Sequence, residues 1–191
     1  YTFSRASSQT YEKSDGTLGT VTSGNPAFQY SGGTAQGVLL EGARTNLITN
    51  SGALESWTKV GTTITANQGQ APDGTSTAEL VGVALGGIMR VSRAVSPSTT
   101  YTFSGYVKQA ASGSATHVRA TTNNGVAWNT GASTKIALTS EWQRVTVTWT
   151  TGAGDSNAYL MFGGKDAADG NDADCTGDFL VWGAQFRAGS T

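Results

Sequence analysis

Five aspartates, Asp166, Asp169, Asp172, Asp174 and Asp178, stand within thirteen residues, and an oxygen-rich loop of this kind suits a hard cation. Gly164, Gly170 and Gly177 allow tight bends around them, and Asn171 adds an amide oxygen. Calcium takes about six to eight oxygen ligands, which carboxylates and backbone carbonyls together can supply. The expectation is a structural calcium site on Asp166, Asp169, Asp172 and Asp174, with no cofactor required for activity. The spacing lacks the closing glutamate of an EF-hand, so a hydrated solvent loop is the alternative. Cys175 is a poor calcium ligand, and no neighbouring His or second Cys points to zinc.

A second chemistry belongs to aromatic rings in polar settings. Trp128 stands in Asn123-Asn124-Gly125-Val126-Ala127-Trp128-Asn129. An aromatic ring is large, rigid and amphipathic, so it can cover the apolar face of a pyranose at modest entropy cost. Asn124 and Asn129 would then bond the hydroxyls; the alternative is that Trp128 caps the core. Trp57, in Glu55-Ser56-Trp57-Thr58-Lys59, is a further platform candidate, with a packing anchor as its alternative. Tyr106, His117 and Arg119 fall opposite the apolar residues of their strands. If those strands share a sheet, the three line one shallow groove. His117 would offer a donor and an acceptor. Arg119 would meet a hydroxyl pair or, through a bidentate contact, a uronate carboxylate. Plain solvent exposure is the alternative for both.

Catalysis is hard to assemble from these residues. Glycoside cleavage asks for two carboxylates roughly 5 to 9 Å apart across a cleft. Glu41, Glu55, Glu79 and Glu141 have no paired setting. A Ser–His–acid triad would have to use the single histidine, and no serine sits in a nucleophile elbow. P-loop and dinucleotide fingerprints are absent. The chain reads as non-catalytic.

Bulk properties narrow the partners. The formal charge is −1 and the twelve Lys and Arg are scattered, which argues against a nucleic-acid groove. No apolar run approaches the roughly 18 residues of a membrane span. Cys175 alone cannot form an internal disulfide, so stapling gives export no support. The start, Tyr1-Thr2-Phe3-Ser4, lacks a basic, apolar targeting run; a mature domain or a piece of a longer chain is expected.

The elements that must position these residues are strands. Only 13% of residues are charged, yet 37% are hydrophobic, which suits short β-branched strands between Gly, Ser, Asn and Asp turns. From Tyr101 to Lys108, Tyr101, Phe103, Gly105 and Val107 share one parity, and Thr102, Ser104, Tyr106 and Lys108 the other. Val145, Val147 and Trp149 repeat the pattern within Gln143 to Thr150, which makes Trp149 a core residue. Thr116 to Thr121, Tyr159 to Phe162 and Asp178 to Phe186 are further strands, with Trp142 and Trp182 anchoring strand ends. Leu80 to Val91, interrupted by Gly82, Gly86 and Gly87, reads as strand and turn. No helical stripe of useful length appears. The pattern predicts an all-β β-sandwich of two antiparallel sheets with a short N-terminal arm, which the resemblance described below makes a jelly-roll. The arm spans residues 1–45 and the module 46–191. Val38-Leu39-Leu40 offers the arm a short strand, and Glu41 and Arg44 bracket a tight turn that closes it.

Two stretches carry a family resemblance. Phe3-Ser4-Arg5-Ala6-Ser7, Thr10-Tyr11 and Asp15-Gly16 precede Leu40-Glu41-Gly42-Ala43-Arg44-Thr45-Asn46-Leu47. This resembles the entry segment of many bacteriophage tail-fibre, spike and head-fibre proteins. The remainder resembles jelly-roll carbohydrate-binding modules of the family 4/9-like group. Its markers are Asn46 to Ser51, Trp57, Asp73-Gly74-Thr75-Ser76 leading into Ala78 to Val81, and Tyr101 to Ser104. Glu141 to Val145 and Val181-Trp182-Gly183-Ala184-Gln185 complete the outline. Phe186-Arg187 departs from it, because relatives often place an apolar residue and an acid there.

The resemblance implies a sugar-binding module, often with a structural calcium. It would recognise a polysaccharide or surface glycan as part of a larger virion or extracellular protein. Nucleic acid and membrane are not expected partners. The alternative is a structural or decoration domain of a phage fibre without sugar affinity.

Overall fold

The computed structural model describes residues 8–38, 45–126, 131–165 and 170–190. The expected turn at Glu41 and Arg44, and the Leu39-Leu40 part of its strand, lie outside them. So do Asp166 and Asp169.

The chain divides into two compact units, one holding the N-terminal residues with Gln70–Thr75, the other Thr45–Gly69 with Ser76–Thr191. In the first, β1 (Gln9–Glu12) pairs with β2 (Leu18–Val21), and β3 (Phe28–Ser31) with β4 (Thr34–Val38), all antiparallel. Glu12 ties the hairpins together: its amide donates to Gln29 Oε1 at 3.2 Å and its Oε1 accepts from Gly32 N at 3.1 Å.

The larger unit is the all-β jelly-roll sandwich. Its strands are β5 (Thr58–Gly69), β6 (Ala78–Ala94), β7 (Thr100–Gln109), β8 (His117–Asn123), β9 (Ala132–Ala137), β10 (Gln143–Thr150), β11 (Asn157–Gly163) and β12 (Gly177–Ala188). They form one antiparallel ladder in the order β10-β7-β12-β6-β11-β8-β9, with β5 also on β6. Two faces arise because β6 serves both. Glu79–Val83 pairs with β12, whereas Ile88–Ala94 pairs with β11.

The Gly-rich stretch expected as strand and turn is therefore one long strand with a bend inside it. Its cause is local. Leu85 is 62% exposed, and Gly86 and Gly61 opposite it take φ of 70° and 57°, which glycine alone adopts freely. A Cβ on Gly87 would overlap the Gly61 carbonyl, so the two strands cross here at backbone distance. Strands that switch sheets through bulges are how a sandwich turns its corners.

Alternation fills the space between the faces. Phe103 and Val107 of β7, Val145, Val147 and Trp149 of β10, and Phe179, Val181 and Phe186 of β12 are buried. They oppose Val118 and Ala120 of β8, and Ala158, Leu160 and Phe162 of β11, in one core cluster. The Phe103 and Phe162 rings meet at 4.7 Å. Gly105 leaves room for this, since a Cβ there would come within 2.7 Å of Phe162 Cζ.

Asn46 locks the unit's entry to its closing strand. Its Nδ2 donates to Ala184 O at 3.2 Å, and its Oδ1 accepts from Ile48 N and Phe186 N, each at 3.0 Å.

Candidate functional site

The outer face of β6, β11, β8 and β9 gathers most of the polar side chains expected to work. Because Leu160 and Phe162 point inward, Tyr159 and Met161 take the outer parity. Register then aligns Met161 with Arg90 and Thr121, and Tyr159 with Ser92 and Asn123.

The segment after β11 covers one end of this face. Thr121 Oγ1 donates to Lys165 O at 2.9 Å. Arg119 donates through Nη2 to Asp172 Oδ2 at 2.9 Å and through Nη1 to Ser133 Oγ at 3.1 Å. Lys135 Nζ bridges Asp172 at 2.8 Å and Asp174 at 2.9 Å. Hydrogen bonding from Lys135, then from Arg119, holds the Asp172 carboxyl down at about 2.

This arrangement alters two expectations. Arg119, its side chain only 16% exposed, is engaged by Asp172 and is not a free sugar-reading cation. Asp172 and Asp174 spend their oxygens on Lys135 and Arg119, not on calcium. Among the described residues, no group of three or more His, Cys, Asp or Glu is placed to hold a metal. Cys175 is buried beside them, and burial first of all pushes its thiol up to about 11, a packed and unreactive state.

The lowered pKa of Asp172 has a testable sign. Its contribution is complete above the ordinary value of 3.8 and is lost as pH falls through about 2. Asp172→Ala also leaves two cations facing each other. We expect a loss on the order of 1 kcal/mol at neutral pH, screened by solvent, read as a lowered Tm that narrows against wild type below pH 2. An unchanged Tm at neutral pH would count against the cluster.

The other end of the face is open among the described residues, with Ser92 exposed there. The Arg90 guanidinium lies over the Tyr159 ring, 5.0 Å from its centroid, and both side chains are half-buried. Gly125 packs against the tyrosine ring so closely that a Cβ would overlap its Cε2 and Cδ2. Asn124 clips its loop to the β10–β11 turn, donating from Nδ2 to Asp155 Oδ1 at 3.0 Å while its Oδ1 accepts from Val126 N. His117 sits at the covered end, 3.0 Å from Thr116 Oγ1 and 4.0 Å from Asp174.

The remaining expected site residues scatter. Trp57 is 2% exposed and stacks on Phe162 at 6.3 Å, so it is a core anchor and cannot be a platform. Tyr106 belongs to the opposite face, tilted against Trp182 at 5.9 Å. The shared groove with His117 and Arg119 does not form, because β12, β6 and β11 separate β7 from β8. Trp128 and Asn129 lie outside the described residues.

Arg90 and Tyr159 were not legible as site residues. The bend hid the parity of β6, and Tyr159-Leu160-Met161-Phe162 is apolar throughout, which conceals which two residues turn away from the core; of these Met161 is itself covered, 1% exposed.

A face of cation, tyrosine, hydroxyls and amides can hold a polyhydroxylated ligand. Among the described residues it lacks a spaced pair of free carboxylates to cleave one. Comparisons with known proteins agree. The carbohydrate binding domain profile of the CBM4/9 type matches residues 43–170. No curated protein matches the chain.

Among solved structures, the tandem CBM22-1–CBM22-2 domain of Paenibacillus barcinonensis Xyn10C is 15% identical. The match covers 78% of this chain and 44% of that one, with a TM-score of 0.52. A family 16 carbohydrate binding module is 20% identical over 74% of this chain and 99% of its own, with a TM-score of 0.50. The enzymatically active domain of tailspike protein 4 of bacteriophage CBA120 is 15% identical, with a TM-score of 0.52. There the match covers 75% of this chain but 21% of the tailspike domain. At these identities the structures share a fold, whereas the profile match spans well over half of the sequence. The chain belongs to the CBM4/9 family of carbohydrate binding domains.

Proposed function

We propose that the open end of the β6–β11–β8 face binds a polysaccharide, in a module attached to a larger extracellular or virion protein. Membership of a non-catalytic carbohydrate-binding family supplies the class. The observation that carries the surface is the half-buried Arg90–Tyr159 pair, held between β6 and β11 beside the loop leaving β8. A sugar ring needs a rigid amphipathic wall with polar groups near it, and this is where the described residues offer both. Trp128 and Asn129 stand two and three residues after Val126 in the sequence and keep their proposed role as sugar-binding residues. The phage setting rests on the entry segment's resemblance together with the tailspike's likeness in fold.

Affinity gel electrophoresis of the full chain against neutral and acidic polysaccharides tests the reading. We expect retardation by at least one polymer, and a loss of about tenfold or more in affinity for Tyr159→Ala, equivalent to at least ~1.4 kcal/mol. Folded protein that migrates unretarded through every polymer would make the module a passive structural domain. So would binding indifferent to Tyr159, as far as this face is concerned.

A further inference from the structure

We infer that the ligand of this face is an acidic polysaccharide, a uronate carboxylate of which is received by Arg90. This rests on the proposed binding role of the face and names its substrate class. Three cations project from β6, β8 and β9 here: Arg90, Arg119 and Lys135. Two are matched internally, Arg119 by Asp172 and Lys135 by Asp172 and Asp174. Arg90 has no hydrogen-bond acceptor or counter-charge among the described residues, and its contact is with the Tyr159 ring.

The residues that register sets beside Arg90 are uncharged. Register places Met161 on one side and Thr58 on the other, with Ser92 opposite Tyr159 and Thr121 beyond Met161. Asp155, in the β10–β11 turn, is spent on Asn124 and on Gly152 N.

The physical case follows from guanidinium chemistry. A guanidinium carries five N–H donors in a planar fork and cannot deprotonate. Stacking on an aromatic face fixes the plane of that fork and strips water from one side, leaving its edge free. A planar edge of paired donors matches the two oxygens of a carboxylate, and the charge-assisted bonds so formed are about twice as strong as neutral ones. Hydroxyls can also accept from Arg90, but they leave its charge unmatched in a half-buried setting. The uronate role expected for Arg119 thus passes to Arg90, the arginine of this face that the fold leaves open.

The test uses the full chain with polygalacturonate, alginate and hyaluronan, each beside its own methyl ester. Esterification keeps the sugar and removes the charge. Neutral glucans, xylans and galactans, and a sulfated polymer, complete the panel. We expect at least one polyuronate to bind tenfold or more tighter than its ester. That preference should fall towards unity in Arg90→Gln and be partly kept in Arg90→Lys, which retains charge without the fork. Both variants are checked for an unchanged fold by melting.

Equal affinity for acid and ester, or a preference untouched by Arg90→Gln, overturns the inference. So does retention by neutral polymers alone, although that outcome leaves the binding face standing. Tighter binding of the sulfated polymer than of any polyuronate overturns the carboxylate assignment. No binding to any member of the panel removes both this inference and the reading beneath it.

Discussion

Trp57→Ala lowers the free energy of unfolding by about 3–5 kcal/mol, enough to remove much of the stability of an ordinary domain. The indole is buried to 2% and lies between two other rings, 6.3 Å from Phe162 and 6.5 Å from Phe103. Those rings come from the two opposed faces, so truncation opens a cavity where the sandwich is joined. Dense packing around it prevents collapse into the space.

The substitution also has a revealing counterpart. Trp57 Nε1 is buried without a hydrogen-bond partner among the described residues, so the native side chain carries a desolvation cost. Trp57→Phe removes that orphan donor while keeping an aromatic ring, and we expect it to cost less than half as much. Urea titration of the three proteins reads the difference. Polysaccharide binding by the folded fraction should be unchanged in both variants. Lost binding with unchanged stability would instead bring the indole to the ligand.

Trp57 also illustrates how far the sequence reaches. Its setting in Glu55-Ser56-Trp57-Thr58-Lys59 looks polar, yet a short 3-10 turn at Leu54–Ser56 drops the indole inward. Local composition does not report such a turn. Regular alternation does report strands: β7 and β10 were readable residue by residue, and Trp149 is buried as its parity required. β5 escaped notice because its residues are exposed or only half-buried and form no fully apolar row.

Site residues were harder to read because a face is made by register between strands distant in sequence. Tyr106 and Arg119 both have outward parity, and only the strand order puts them on different sides of the sandwich. Nor does sequence say which cations find a partner. Arg119 and Asp172 are separated by 53 residues and meet at 2.9 Å, whereas Arg90 meets none among the described residues. The jelly-roll class was legible from pattern and resemblance together; the open cation required the ladder.

Glu79 should make the folded protein less stable as pH rises from about 4.5 to about 7. It shares inward parity with Val81 and Val83 and is 2% exposed. One carboxyl oxygen accepts from Leu54 N at 2.8 Å, while the other is buried with no hydrogen-bond partner among the described residues. Burial, reinforced by Glu55 nearby, raises its pKa from 4.5 to about 7. The native state therefore keeps a proton that the unfolded chain releases at lower pH. The favourable contribution is complete below 4.5, declines as pH climbs, and is gone above about 7. After allowance for solvent screening the loss is on the order of 2 kcal/mol. Glu79→Gln retains an acceptor for Leu54 N but carries no charge to desolvate. Thermal scans at pH 4, 6 and 8 should show wild type losing Tm relative to Glu79→Gln at each step, with the variant the more stable at pH 8. Asp172 acts in the opposite sense and only in acid, so the two groups together place a stability maximum between their transitions. Parallel Tm curves for wild type and Glu79→Gln would show that the carboxylate reaches water and that its burial does not govern its charge.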